Sequence, residues 1–284
     1  MPDKPQPAPP LAFSLPDRRV LALCGRDALA FAQAQFMNDV AALGDGQWQW
    51  NGWLNPKGRV IALFALLRLD AETLWLLLAG SDPAELAAKL QRYVFRSKLT
   101  LQPRDDLHAA GTFHAPQAAA AAMFACVGEA IELDMGSDAG ARTLRITTAQ
   151  AASDANERLR WNAADLACGL PHLPAPQAEQ WTPQQLSLER LQAFSVKKGC
   201  YPGQEIVART HFLGQAKRGV ALFEAAAPVA PGAGVTAGTQ ALGSVVSVAA
   251  RHVLAVLPLE HPAQGLAAEG VALSPSPLLG GLQR

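Results

Sequence analysis

The sequence predicts an α+β protein that ends in a small antiparallel β-barrel, and three observations carry that prediction. Gln47–Trp50, Arg59–Leu69 and Thr73–Ala79 are closely spaced strand-like runs that read as an antiparallel meander. The helical stretches between strands are short and few, and no GxGxxG follows a strand, which argues against a doubly wound parallel sheet. Across 213–284, β-branched runs such as Val245–Val248 and Val253–Val256 alternate with Pro- and Gly-rich turns, the pattern of a small barrel.

Met1 to Pro10 is proline-rich and reads as a disordered arm, because repeated prolines forbid both helix and sheet ladders. Val20–Leu23 is a short strand. Gly25-Arg26-Asp27 then introduces a helix with Leu29, Ala32, Phe36, Val40 and Leu43 on one face, stopped by Gly44-Asp45-Gly46. Asn55-Pro56-Lys57-Gly58 is the turn between the first two strands of the meander. Asp82 is the N-cap of a second helix, with Pro83 at its first position, Glu85 closing a capping box and Leu86, Leu90 and Val94 on its buried face. Between His108 and Thr148 short strands alternate with the alanine-rich run Ala118–Ala122, read as a helix. A further helix is expected over Gln150–Ala167, ended by Gly169-Leu170-Pro171, and its Trp161 reads from spacing alone as a core tryptophan.

A chain of 284 residues exceeds one average domain and can bury a sizeable core. Lys plus Arg and Asp plus Glu stand at 24 each, so no global charge argues for nucleic acid or an acidic membrane surface. Cysteines at 24, 126, 168 and 200 form no CxxC pair and no zinc-like spacing, so no resident metal is expected. No signal-peptide core and no membrane-length apolar run is present, and a reduced, cytoplasmic compartment is expected.

Chemistry concentrates in Lys197-Lys198-Gly199-Cys200-Tyr201-Pro202-Gly203-Gln204-Glu205 and the following run to Arg209. Two lysines before a cysteine favour thiolate over thiol if the side chains converge. Gly199 allows close approach of the backbone to a neighbour, and Pro202-Gly203 spells a tight turn into a short helix or strand. The bland alternative is a buried turn whose cysteine packs as a small hydrophobe.

This stretch resembles the KGCYxGQE signature of the YgfZ-type proteins, folate-binding relatives of glycine-cleavage T-protein that act in iron–sulfur cluster assembly and repair. Lys198, Gly199, Cys200, Tyr201, Gly203, Gln204 and Glu205 match as they stand. Gly25–Ala28, Gln35–Val40, Pro56–Arg59, Tyr93–Lys98, Gly169–Pro171 and Thr182–Gln184 resemble family stretches in family order. Arg19 stands where some relatives carry an aromatic residue, and Gln192-Ala193 where many carry a glycine pair.

The resemblance implies a T-protein-like fold, with interleaved α+β subdomains around a central channel over 11–212, 46–104 forming one of them, and the barrel over 213–284. It implies tetrahydrofolate as ligand, with Trp161, Asn38, Asp39, Arg59, Tyr201, Gln204, Glu205 and Arg209 as contacts, Cys200 as the critical thiol, and Lys198 tuning it or gripping the folate. It implies iron–sulfur clients or assembly proteins as partners, with support of tRNA modification, and neither direct nucleic-acid nor membrane binding. Two other functions stay open. A folate-dependent aminomethyl or methyl transferase would need Asp39 or Glu205 to handle protons, and a hydrolase would need Cys200 with His211 as base.

Overall fold

The computed structural model describes residues 12–214 and 216–284; the proline-rich arm over 1–10 lies outside the described residues. β1 (Phe13–Ser14) is followed by β2 (Arg18–Cys24), α1 (Ala28–Gln35), β3 (Gln47–Leu54), β4 (Val60–Arg68), β5 (Thr73–Ala79), α2 (Pro83–Gln91) and β6 (Thr100–Pro103). β2 to β6 make one antiparallel sheet in the order β3-β4-β5-β2-β6. β7 (His108–Thr112), β8 (Ala125–Val127), β9 (Ala130–Asp134) and β10 (Thr143–Thr147) join β1 in a second sheet ordered β1-β7-β10-β9-β8. After α3 (Ala155–Ala167) and α4 (Gln204–Phe212), strands β11 (Arg218–Ala225), β12 (Gly234–Ala237), β13 (Gln240–Ala249), β14 (His252–Pro258), β15 (Leu266–Ala268) and β16 (Val271–Ser276) close into the expected barrel.

The near-continuous apolar run of β4 reflects burial on both faces. Ala62, Phe64 and Leu66 pack with Leu76, Phe31, Phe36 and Leu86 on the helix-covered side. Leu63, Ala65 and Leu67 pack with Trp48, Trp50, Leu144 and Trp161 on the side that meets the second sheet. Strand alternation thus sorts one sequence into two cores.

Three helix expectations are corrected. α1 ends at Gln35, and Phe36 is already extended and bridged to Trp53, so Val40 and Leu43 are buried from irregular chain instead. Ala118–Ala122 is not helical, because the Glu132 carboxylate accepts from the backbone N–H groups of Gln117, Ala118 and Ala119, and Asp134 accepts from that of Ala121. These acceptors capture the donors that a helix would use. α3 starts at Ala155 rather than Gln150, where Asp154 caps the N–H groups of Asn156 and Glu157. Asp82 does cap α2, accepting from Ala84 and Glu85, whereas Val94 lies beyond that helix. Among the described residues Glu85 returns no hydrogen bond to close the box.

One buried ion cluster binds these bodies. Asp165 on α3 has no exposed surface; it accepts from Arg142 Nη1 at 2.7 Å and from Arg18 Nη2 on β2 at 2.8 Å. His172 Nε2 lies 3.1 Å from Asp165 Oδ2 and 3.0 Å from Arg18 Nη2, while its backbone N–H donates to Ser247 Oγ of the barrel at 3.0 Å. Burial alone would raise the Asp165 carboxyl, but Arg142, His172 and Arg18 hold it well below its ordinary 3.8. Burial, reinforced by Arg18, holds His172 below its ordinary 6.5 against the pull of Asp165.

The unfolded chain therefore takes up protons first, at His172 below pH 6.5 and at Asp165 below pH 3.8, so stability falls on acidification through both windows. Asp165→Ala leaves Arg142 buried without its carboxylate and should cost about 3–5 kcal/mol in chemical denaturation. It should also flatten the acid limb below the unfolded value, and an unchanged midpoint would show that the cluster carries no stability.

Candidate functional site

The loop 195–203 is clamped between the end of α1 and the β3–β4 turn. The Lys198 ammonium donates to the backbone carbonyls of Gln33 at 2.5 Å, Phe36 at 2.6 Å and Asn38 at 3.1 Å. These carbonyls lie where α1 ends, and a cation is suited to satisfy acceptors left unpaired at such an end. Burial pushes the ammonium down to about 8, with the Asp39 carboxylate opposing, so it stays charged at neutral pH. Its Nζ also stands 5.0 Å from the centroid of the Tyr201 ring. Lys198 thus directs its ammonium to the carbonyls at and just beyond the end of α1.

The Ser195 N–H donates to the Met37 carbonyl at 2.9 Å, and further bonds lie within the loop. Ser195 Oγ accepts from the N–H groups of Lys197 and Lys198, each at 3.2 Å, and the Ser195 carbonyl accepts from the Tyr201 hydroxyl at 3.2 Å. Burial raises the Tyr201 hydroxyl to about 12, keeping it a neutral donor. Gln204 Nε2 closes the loop by donating to the Lys198 carbonyl at 3.2 Å. Gly203 caps α4 at φ +79°, and a side chain there would meet Asn55 O at 2.6 Å and Gly58 Cα at 2.7 Å. Gly199 makes no such approach: a Cβ there would find nothing within 4 Å.

Cys200 is left exposed at the crest of this fixed loop, and the alternative of a cysteine packed as a small hydrophobe is thereby removed. Cys24, Cys126 and Cys168 are also free thiols, Cys168 buried and bonded to Ser137 Oγ at 3.2 Å.

Beside the loop lies an open depression of ≈ 370 Å³, lined in part by Asp39, Gln49, Gln192, Ser195, Lys197 and Arg284. That volume falls within the range of small-molecule sites. Asp39 Oδ1 accepts from Gln33 Nε2 at 3.0 Å, which places a carboxylate on its wall. By contrast, the gap between the two sheets, lined by Arg18, Trp50, Leu144 and Asp165 among others, measures ≈ 20 Å³, enough for about one water.

The structure holds Lys198, Cys200, Tyr201 and Gln204 in the loop and at its close, whereas Asn38 and Asp39 line the depression, which the loop enters through Ser195, Val196 and Lys197. Asn38 is a cross-link rather than a free contact, donating to the carbonyls of Trp50 at 2.9 Å and Gln192 at 2.7 Å. Arg59 faces elsewhere, its Nη1 donating to Gln180 O at 2.8 Å and Gln185 Oε1 at 2.9 Å. Glu205 and Arg209 are exposed on α4. Trp161 is not part of this group: its indole is fully buried, with the Arg142 guanidinium 4.7 Å over the ring and Phe13 and Phe113 at its edges. His211 sits near the C-terminal end of nine-residue α4, on the order of 10 Å along the axis from the end that follows Cys200. Its exposed ring stacks edge-on against Phe212 at 4.8 Å, and among the described residues no side chain is hydrogen-bonded to the Cys200 thiol.

Sequence reasoning missed Gln33, Ser195, Gln49, Gln192 and Arg284. Ser195, two residues before Lys197, carried a local signal as a hydroxyl placed to form a turn with its own downstream N–H groups. Arg284, whose guanidinium donates to Asp134 O at 2.8 Å and lies 5.5 Å over Trp48, carried none.

Comparison with known proteins follows this geometry. Residues 217–278 match the family described as CAF17, C-terminal beta-barrel domain. A tRNA-modifying protein YgfZ from Klebsiella pneumoniae is 30% identical over 243 residues, covering 78% of this chain and 74% of the relative. Its namesake from Cronobacter sakazakii is 32% identical over 228 residues, covering 72% and 68%. The glycine cleavage system aminomethyltransferase T of Bartonella henselae superposes with TM-score 0.68 at 14% identity over 96% of this chain and 86% of that one, which shows a shared fold.

Lys198→Met removes the ammonium from three carbonyls and should destabilise the protein by about 1–3 kcal/mol. Limited proteolysis should then cut within 195–203 faster than in the wild type. Unchanged stability and an unchanged cleavage pattern would mean that the loop is held by other contacts.

Proposed function

The chain belongs to the YgfZ family, and from that premise we propose that it binds tetrahydrofolate beside Asp39 and supports assembly or repair of iron–sulfur proteins through Cys200. The observation that carries the proposal is an exposed thiol on a rigidly clamped loop, next to a concavity of ligand size. An exposed cysteine held without a base suits transient sulfur, iron or disulfide exchange with a client better than nucleophilic hydrolysis.

The wall residues fit a folate. Asp39 offers acceptors for the amino and ring N–H groups of a pterin, Gln49 and Gln192 offer both donors and acceptors, and Arg284 offers a cation to a carbonyl or carboxylate. Tetrahydrofolate would supply one-carbon or reducing chemistry when bound; the chain's part is to hold its ring against Asp39 and keep Cys200 in reach of a partner. Relatives named tRNA-modifying fit a role one step removed, in which iron–sulfur enzymes acting on tRNA are the clients.

A second place for the ring is favoured by one observation: the Trp161 Nε1 and the Arg142 Nε and Nη2 are buried without hydrogen-bond partners. Tetrahydrofolate binding measured by anaerobic calorimetry separates the two. Binding lost in Asp39→Ala and kept in Trp161→Phe places the ring in the depression; the reverse result moves it to the tryptophan, and no binding by the wild type removes folate from the function.

Cys200→Ala should fold with wild-type stability and fail to restore iron–sulfur enzyme activity in a strain lacking this protein. Full rescue would make the thiol dispensable. The transferase reading takes Asp39 as its proton acceptor, and formation of methylenetetrahydrofolate from an amine donor by the pure protein at an enzymatic rate would establish it in place of the accessory role.

A further inference from the structure

The Cys200 loop shares a face with two segments that its chemistry does not use. Lys198 reaches the Phe36 carbonyl, Phe36 bridges to Trp53, and the Tyr93 ring meets the Trp53 ring edge-on at 5.7 Å, so that Phe36 and Trp53 link the loop to segment 92–96. The turn 55–58 abuts Gly203 from the other side.

On this face Phe95 is 85% exposed and Tyr93 40%, an aromatic pair that folding leaves in water. Around them Lys57, Arg92, Arg96 and Lys197 are exposed, and among the described residues none lies within 4 Å of a carboxylate. Segments 55–58, 92–96 and 197–203 contain no Asp or Glu. The acids at the margin are Asp39, which shares the depression wall with Lys197, Asp27, whose Oδ2 accepts from the Lys98 N–H at 2.6 Å, Glu179, which accepts from Asn55 Nδ2 at 2.8 Å, and Glu205, one helical turn from Arg209. The whole chain has no net charge, so this cationic face is balanced elsewhere, by exposed acids such as Asp105, Asp106, Glu129, Asp138 and Asp154. A local excess of one sign on a neutral molecule serves to orient a partner.

We propose that residues 55–58, 92–96 and 197–203 form a docking surface for an acidic protein partner, which seats an apolar side chain against Phe95 and presents its reacting group to Cys200. Exposed aromatics ringed by arginines are the composition of protein interfaces, with the aromatic as anchor and the charges setting approach. The inference rests on the reading of Cys200 as a thiol that acts on other proteins.

The test uses thiol–disulfide exchange on the full-length protein. Short peptides share one leucine and one cysteine activated as a mixed disulfide with thionitrobenzoate, and are otherwise Glu-, Gln- or Lys-rich. The Cys200 thiolate attacks the peptide sulfur, a protein–peptide disulfide forms, and thionitrobenzoate leaves and is read by its colour. Mass spectrometry assigns each adduct to Cys200 or to exposed Cys126, which stands near Glu129 and serves as internal control.

At low ionic strength the Glu peptide should react at Cys200 about tenfold faster than the Gln peptide and the Lys peptide more slowly, with the spread shrinking as salt rises. Arg92→Glu with Arg96→Glu should erase the preference, Phe95→Ala should slow the leucine-bearing peptide, and Cys126 should show no preference for Glu. Equal rates at Cys200, the same preference at Cys126, or a preference that survives the charge reversal would overturn the proposal. So would a single-stranded RNA that binds this face in place of the acidic peptide. Rescue by Cys200→Ala with steering intact would sink the accessory function and leave the docking surface standing.

Discussion

The architecture depends on one carboxylate. Asp165 sits without solvent on α3 and holds an arginine from the first sheet, an arginine from the chain leading into β10 of the second, and the histidine that is hydrogen-bonded to the barrel through Ser247. Apolar contacts between the two sheets are plentiful but non-directional, and they permit many relative placements of the bodies. A buried ion cluster permits few, because any displacement leaves a charge unpaired in a medium that solvates it poorly. Arg18 is the telling member: its guanidinium pairs with Asp17 and Asp165 and also lines the narrow gap between the sheets, so the same side chain aligns the bodies and fills the space between them.

The loop carrying Cys200 is built on a similar economy at smaller scale. Its buried cation finishes α1, donating to the carbonyls of Gln33 and Phe36 at the helix end. Together with the Phe36–Trp53 bridge that bond marks where α1 stops, and beyond it Asn38 and Asp39 line the depression. Helix end, loop and the wall of the depression are therefore one construction, in which Lys198 holds the carbonyls of Phe36 and Asn38 that lead into Asp39.

The fold was legible in the sequence because its signals are periodic and local. The meander, the capped helix at Asp82 and the barrel turns each announce themselves within a dozen residues, and the structure contains all three. The errors share a different cause. Phe36, Val40 and Leu43 kept their helical spacing and their burial but lost the helix to a bridge with Trp53, and Ala118–Ala122 lost theirs to carboxylates fourteen or so residues away. In the signature loop direction was invisible: nothing in a run of two lysines tells which one turns inward. Arg284 and Gln49 reach the depression through tertiary folding alone, and the stacking of the Arg142 guanidinium over Trp161 likewise joins residues nineteen apart with no local signal.

After the barrel the chain returns to the first sheet. Leu282 is buried there, its carbonyl accepting from Trp50 Nε1 at 2.7 Å, and Arg284 closes one side of the depression beside Asp39. During synthesis the segment bearing Asp39 emerges long before the segment that walls it, and a ribosome adds roughly 5–20 residues each second. For that interval the nascent protein can carry its thiol loop, once residues 195–203 have appeared, without a finished pocket beside it. The depression is thereby completed only in chains whose barrel has already been made, with its last wall supplied by the last residues to emerge.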